Sequence, residues 1–281
     1  MDVPRLLREH GLRPSKGLGQ NFLISRKTLE RIVAAANLAP DDVVLEIGPG
    51  LGILTERLAD RAGHIVAVEI DARLVEILRG EIGQRPNVHI VQGDILSLDV
   101  ADLLSEELAR FGETFDRYTV VANLPYYITS ACLRHLLTTS QRPDSILVMV
   151  QREVGRRLVA APGDTSLLSI SVQVYGRPEI ICTVPPGAFY PRPEVSSALV
   201  RIEVYDTPLV APEMEGRFFD IVRAGFGQRR KQLVNSLGHG LGLNREAVSA
   251  ALLCAGIDPK RRAQSLTIDE WCLLTEALRH P

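Results

Sequence analysis

The chain lacks what a disulfide-built, metal-binding or membrane-spanning protein would need. Its four cysteines, Cys132, Cys182, Cys254 and Cys272, stand far apart and form no metal-ligand spacing. They read as isolated thiols of a cytosolic protein, and no metal is expected. No apolar run approaches the roughly 20 residues of a membrane-spanning helix. The opening residues Met1 to Arg5 hold no apolar stretch of a secretion signal, so a cytoplasmic location is expected. There is no internal repeat and no low-complexity tract. Charge of one sign is also missing: 32 Lys and Arg face 34 Asp and Glu, a net −2 that argues mildly against a polyanionic partner. What is present is a chain of 281 residues, 46% hydrophobic, enough for one large domain or a main domain with an appendage.

The charge is unevenly spread. Residues 1–31 carry seven bases (Arg5, Arg8, Arg13, Lys16, Arg26, Lys27, Arg31) against three acids (Asp2, Glu9, Glu30), a local +4. Further clusters are Arg156-Arg157, Arg229-Arg230-Lys231 and Lys260-Arg261-Arg262. Clusters of this kind are usually solvated faces. Several on one surface would instead form an electrostatic footprint for phosphate.

Apolar periodicity sets the architecture. Strand-like runs at 43–47, 65–69, 88–92, 118–122 and 145–151 alternate with helix-compatible segments at 53–61, 71–82, 101–110 and 129–139. Alternation of this kind predicts a doubly wound α/β fold, a mostly parallel sheet covered by helices on both faces. After a helical stretch near 152–161, further strand-like runs appear at 167–175, 179–184 and 196–204. A short proline-containing connection suggests an antiparallel hairpin at the sheet edge. Pro208 and Pro212 flank an expected linker, and from about Glu213 the pattern is helical, broken at Gly238, Gly240, Gly242 and Gly256. The expected division is therefore a sheet-containing domain over 1–207 and a small helical domain over 208–281.

In such sheets ligands sit beyond the carboxyl ends of the strands. The run 43–47 leads into Gly48-Pro49-Gly50-Leu51-Gly52, where glycines let the backbone approach a ligand. Glu69 ends the next strand and can accept both hydroxyls of a ribose. Asp94 follows the third and can accept an adenine amine. A dinucleotide fold uses the same logic, but two details argue against a nicotinamide cofactor. Glu46 sits two residues before the first glycine, placed to bind a charged amino-acid group. Pro49 lies inside the loop, which must pass a ligand rather than anchor a pyrophosphate at a helix N-terminus. The fourth strand runs into Asn123-Leu124-Pro125-Tyr126. The Asn123 amide oxygen and the Leu124 carbonyl can each take one hydrogen of a planar aromatic amine, which favours a pyramidal nitrogen with a free lone pair. Pro125 fixes the backbone and brings no competing N–H; Tyr126 offers a stacking face. The six histidines pair with no nucleophile and are expected to be structural or solvent-facing.

These motifs resemble an S-adenosylmethionine-dependent methyltransferase of an adenine amino group. Leu18-Gly19-Gln20-Asn21-Phe22-Leu23, Phe189-Tyr190-Pro191-Arg192-Pro193 and Phe226-Gly227-Gln228-Arg229-Arg230-Lys231 narrow the resemblance. It is to the ribosomal RNA adenine N6,N6-dimethyltransferases, in the bacterial branch acting on small-subunit RNA, and it runs from about Arg13 to Leu278. The resemblance implies a methyltransferase variant of the doubly wound sheet, seven-stranded, with a helical RNA- or ribosome-binding tail. It implies S-adenosylmethionine held by Asn21, Leu23, Glu46, Gly48, Gly50, Glu69, Asp94 and Asn123, with Phe22 over the pocket. Phe189 is implied to stack on the target base opposite Tyr126, whereas Tyr127 and Tyr190 are expected as core or wall. Arg229, Arg230 and Lys231 are implied to contact RNA. The substrate is expected to be small-subunit ribosomal RNA in an immature 30S-type particle, the protein a monomer, and the product dimethylated. Related chemistry on large-subunit RNA or DNA, or a ribosome-assembly or transcription factor that only binds RNA, remain the alternatives.

Overall fold

The structure, a computed structural model, describes residues 3–278 except Lys16 and Arg229. The chain separates into two compact units, residues 1–155 with 178–204, and residues 156–177 with 205–281.

Among the described residues the first unit holds nine strands, all but the first two residues of β7 lying within it: β1 (Phe22–Leu23), β2 (Val43–Ile47), β3 (His64–Glu69), β4 (Val88–Gln92), β5 (Tyr118–Asn123), β6 (Ser145–Gln151), β7 (Gly176–Val184), β8 (Phe189–Tyr190) and β9 (Ser197–Val204). Seven form one sheet in the order β4-β3-β2-β5-β6-β9-β7. The pairs β2–β3, β3–β4, β2–β5 and β5–β6 are parallel, and β9 runs antiparallel to β6. The expected mostly parallel seven-stranded sheet is therefore present. Its centre is deeply buried because the strands are continuous β-branched runs covered on both faces. The carboxyl ends of β2, β3 and β5 lie side by side, with Ile47 beside Val68 and Ala122.

Helices follow where acidic or hydroxyl caps start them. Asp71 accepts from the Arg73 N–H to start helix Ala72–Glu81, and Asp99 from the Ala101 and Asp102 N–H groups to start helix Val100–Ala109. β7 and β9 are neighbours at the sheet edge, as the edge hairpin required. The link between them is not a short turn. It contains a 3₁₀ turn at Pro186–Ala188 and strand β8, which pairs antiparallel with β1 in a separate two-stranded sheet.

One strand expectation fails. The run 167–175 alternates like a strand, yet Leu167–Gln173 is helical. Ser166 and Ser169 form a reciprocal capping box, the Ser166 hydroxyl accepting from the Ser169 N–H and the Ser169 hydroxyl from the Ser166 N–H. The cap satisfies the first-turn donors, which alternation alone cannot do.

The second unit contains helices Pro212–Phe226, Leu233–Leu241, Arg245–Cys254 and Ile268–Ala277. Phe218, Leu237, Leu252 and Trp271 are fully buried at its centre. Helix 212–226 meets Trp271 through Gly225, where an added Cβ would come within 2.5 Å of the indole. Arg261 forms a fork with Glu270 (Nη1–Oε1 2.5 Å, Nη2–Oε2 3.0 Å), so the middle residue of the basic cluster 260–262 has a structural partner.

Candidate active site at the carboxyl ends of the strands

A cavity of about 310 Å³ opens over the carboxyl ends of β2, β3 and β5. Asn21, Leu23, Glu46, Gly48, Gly50, Glu69, Asp94, Asn123, Leu124, Pro125, Tyr126 and Phe189, singled out from sequence, all line it. Arg230 and Lys231 are exposed in the second unit, and Arg229 lies outside the described residues.

The floor is acidic and buried. Glu46 is 1% exposed, and its Oε2 has no hydrogen-bond partner among the described residues. Burial pushes its carboxyl up to about 8; the nearby Thr55 hydroxyl, which completes no bond of normal geometry, offsets part of this, and the charge of Glu69 adds to it. Glu69 is also raised, chiefly by burial, with N–H bonds from Asp71 and Gly50 working the other way. Its Oε1 accepts from the Asp71 N–H at 2.9 Å and its Oε2 from the Gly50 N–H at 3.1 Å. Each carboxylate oxygen keeps a second lone pair for a ligand hydroxyl. Gly50 has φ +62°, and the Phe22 ring lies 3.1 Å from where its Cβ would stand, so the loop needs glycine there on both counts. Asp94 is exposed at the cavity edge, where its Oδ1 accepts from the Leu96 N–H at 3.0 Å.

Over the floor runs a strap, residues 18–23, drawn in by the pairing of Phe22 with Tyr190 and of Leu23 with Phe189. The Asn21 amide donates to the Gly19 carbonyl at 3.0 Å, so this nitrogen is turned into the strap. The Asn21 carbonyl accepts from Asn123 Nδ2 at 3.0 Å. Only an N–H can face a backbone carbonyl, so the Asn123 amide has one sensible orientation and Oδ1 is left as the free acceptor. The Pro125 carbonyl accepts from the Ile128 N–H at 3.2 Å and the Thr129 hydroxyl at 3.4 Å, which pins the tetrapeptide to the helix after it. The Tyr126 hydroxyl meets the Ser197 hydroxyl at 3.1 Å.

Of the two tyrosines expected as core or wall, Tyr127 is wall, lining the cavity while 63% exposed, whereas Tyr190 is neither buried nor among the cavity's lining residues. Tyr190 is 39% exposed, since alternation along the short β8 buries Phe189 and turns its neighbour out. Ser197 and Asp71 escaped the sequence reading. Asp71 carries a signal, a cap residue directly before a helical run. Ser197 carries none, being 71 residues from the tyrosine it holds.

The arrangement fits S-adenosylmethionine. An orphaned buried carboxyl oxygen on Glu46 suits an amino-acid ammonium, paired lone pairs on Glu69 suit a ribose, and the open backbone at Gly48, where an added Cβ would meet nothing nearer than the Asn123 carbonyl at 4.0 Å, admits the chain between them. Among the described residues no group of three or more His, Cys, Asp or Glu could hold a metal ion.

Comparison with known proteins agrees. Residues 12–280 match the family model described as ribosomal RNA adenine dimethylase. "Ribosomal RNA small subunit methyltransferase A" of Dehalococcoides mccartyi (strain ATCC BAA-2266 / KCTC 15142 / 195) is 46% identical over 96% of this chain and 90% of its own. The protein of that name from Moorella thermoacetica (strain ATCC 39073 / JCM 9320) is 45% identical over 98% of this chain and 96% of its own. Among solved structures, 23S rRNA methyltransferase ErmE is 30% identical with a TM-score of 0.71, covering 92% of this chain and 100% of that one. A dimethyladenosine transferase from Plasmodium falciparum, 21% identical with a TM-score of 0.73 over 90% of this chain and 95% of that one, shares the fold. A family match over nearly the whole sequence, on a cavity assembled from the family's motifs, leaves one conclusion: the chain belongs to the ribosomal RNA adenine dimethylase family.

Proposed function

We propose that the protein dimethylates the N6 amine of adenosines in small-subunit ribosomal RNA, with S-adenosylmethionine as methyl donor, on an immature ribosomal particle. The observation that carries this is the Asn123 amide, fixed by the Asn21 carbonyl so that Oδ1 is the acceptor presented at the end of β5.

When bound, S-adenosylmethionine supplies a methyl group on a good leaving group. The protein's part is positioning. Glu46 meets the amino-acid end, Glu69 the ribose and Asp94 the adenine amine, with Asn21, Leu23, Gly48 and Gly50 completing the wall. Asn123 Oδ1 and the Leu124 carbonyl each take a hydrogen of the target amine, which frees its lone pair. Tyr126, its hydroxyl tethered to Ser197, presents a fixed ring to the base, and Phe189 supplies the second face. Stacking of roughly 1–3 kcal/mol per ring offsets the cost of lifting the base out of its RNA context. No histidine base is needed, because the nitrogen becomes strongly acidic once methylated. The first unit thus carries the chemistry. The second, with exposed Arg230 and Lys231 and with Arg229, contacts RNA phosphate in the particle, and the protein acts as a monomer in the cytoplasm.

The test is to offer labelled S-adenosylmethionine with naked small-subunit RNA, immature small subunits, large-subunit RNA and DNA in turn, and to identify the modified nucleoside. N6,N6-dimethyladenosine in small-subunit RNA supports the reading. Label only in large-subunit RNA, the target named for ErmE, or in DNA would refute the substrate. No transfer at all would leave the RNA-binding alternative.

A further inference from the structure

The strap over the cavity is tied down at a point that none of the roles above uses. Gln20 Oε1 accepts from the Ser15 N–H at 2.8 Å, and its Nε2 donates to Asp71 Oδ2 at 3.0 Å. Both orientations are forced, since a backbone N–H needs an oxygen and a carboxylate needs a donor. Asp71 is 8% exposed and is the hub of the turn after β3. Its Oδ1 accepts from Arg73 Nε at 2.9 Å and the Arg73 N–H at 3.1 Å, its Oδ2 also takes Arg73 Nη2 at 2.6 Å, and its own N–H donates to Glu69 Oε1 at 2.9 Å. Arg73 first, and Gln20 in part, hold its carboxyl down to about 2, so it is ionised whenever the protein is folded near neutrality. One residue along the strap from Gln20, the Asn21 carbonyl fixes the Asn123 amide.

We propose that Gln20 is a positioning residue that latches the strap to the Glu69–Asp71 turn and thereby sets the Asn123 amide when the cofactor's ribose engages Glu69. The path is continuous and short: Glu69 Oε1, the Asp71 backbone, the Asp71 carboxylate, the Gln20 amide, the Asn21 carbonyl, then Asn123 Nδ2. Every link but the chain step from Gln20 to Asn21 and the one within Asp71 is a hydrogen bond of 2.9–3.0 Å. Without the latch the strap still has β1–β8 pairing and its internal Ser15 bonds, so it stays folded, but the Asn21 carbonyl is no longer registered to the cofactor end of the cavity. The inference rests on the assignment of Glu69 to the ribose and Asn123 to the target amine.

The test compares Gln20→Ala, Gln20→Glu and the exchange pair Gln20→Glu with Asp71→Asn. Calorimetry with S-adenosylhomocysteine, without RNA, gives cofactor-site affinity. Single-turnover methylation at saturating S-adenosylmethionine gives the rate, and thermal melting reports the fold. Gln20→Ala removes the charge-assisted bond to Asp71 and the bond from the Ser15 N–H, and is expected to weaken S-adenosylhomocysteine binding about fivefold and to slow saturated turnover about tenfold, with melting shifted only slightly. Gln20→Glu sets two carboxylates face to face and should be worse in both. Asp71→Asn should then restore much of the loss, because the carboxylate introduced on the strap can accept from the new amide. Saturated turnover unchanged in Gln20→Ala, or no restoration by the exchange, would overturn the latch. A wild-type protein that binds no S-adenosylhomocysteine would instead overturn the functional reading on which the latch stands.

Discussion

Replacing Glu46 by Gln separates the stability of the empty protein from the needs of its ligand. The side chain is buried, one of its oxygens has no partner among the described residues, and its carboxyl is pushed from 4.5 to about 8. The sign follows from proton binding. Between pH 4.5 and 8 the folded protein holds a proton on Glu46 that the unfolded chain has given up, so stability falls as pH rises through that window. From pH 5 to 7.5 the cost is about 3 kcal/mol at 1.36 kcal/mol per unit, a large share of a typical 5–15 kcal/mol. Glutamine keeps the shape, titrates nowhere, and removes that slope. Urea unfolding of cofactor-free protein at pH 5 and 7.5 should show wild type losing about 3 kcal/mol more than the variant. The ligand reverses the balance. An ammonium beside Glu46 stabilises the ionised form, so S-adenosylhomocysteine binding near pH 7 should release close to one proton in wild type and none in Glu46→Gln. Calorimetry in buffers of different ionisation enthalpy reads this directly. Parallel stability profiles, with equal proton release in both proteins, would refute the reasoning.

Three further outcomes are expected. His89 meets His64 at 3.0 Å and packs edge-on against Phe111; burial first, then the charges of His64 and Arg110, lower it to about 4, so its contribution is lost as pH falls from 6.5 through 4. His89→Asn should flatten acid unfolding there by about 2–3 kcal/mol, and an unchanged acid limb would sink the idea. Reversing charge at Arg230 and Lys231 should weaken particle binding and flatten its salt dependence while S-adenosylhomocysteine affinity holds, checked by titration at several salt concentrations; an unchanged slope rejects the contact. Ser197→Ala frees the Tyr126 hydroxyl and should lower saturated turnover about threefold to tenfold with cofactor affinity intact, whereas a wild-type rate would show that the tether is idle.

Much of the sheet could be read in advance because its central strands are continuous apolar runs, a pattern set by burial on both faces, and β2, β3 and β4 end at a glycine or an acid. β2, β4 and β6 have the expected bounds, and β3 and β5 differ by one residue. The site's floor was legible for the same reason: Glu46, Glu69 and Asp94 sit at or just past strand ends, where the parallel topology must gather them. What escaped depended on partners remote in sequence or on local capping. Nothing in Phe22-Leu23 announces that it will pair with Phe189-Tyr190, nor in Ser197 that it will hold Tyr126. The stretch 167–173 misled because its alternation competes with a serine cap, and the cap decides. The charge clusters are partly paired, Arg5 and Arg26 by Glu9 and Glu30 one helical turn away and Arg261 by Glu270, in keeping with the solvated-face reading of those residues.

The central claim is that two oxygens at the end of β5 hold the target amine for attack, and the rate of Asn123→Ala tests it most directly. The variant should be assayed in single turnover on immature small subunits at saturating S-adenosylmethionine, with its cofactor affinity measured separately. Removing an acceptor that matters most as positive charge develops on nitrogen should slow transfer on the order of a hundredfold or more, with RNA affinity little changed. Dimethylation at the wild-type rate under those conditions would contradict the mechanism, even with the family assignment intact.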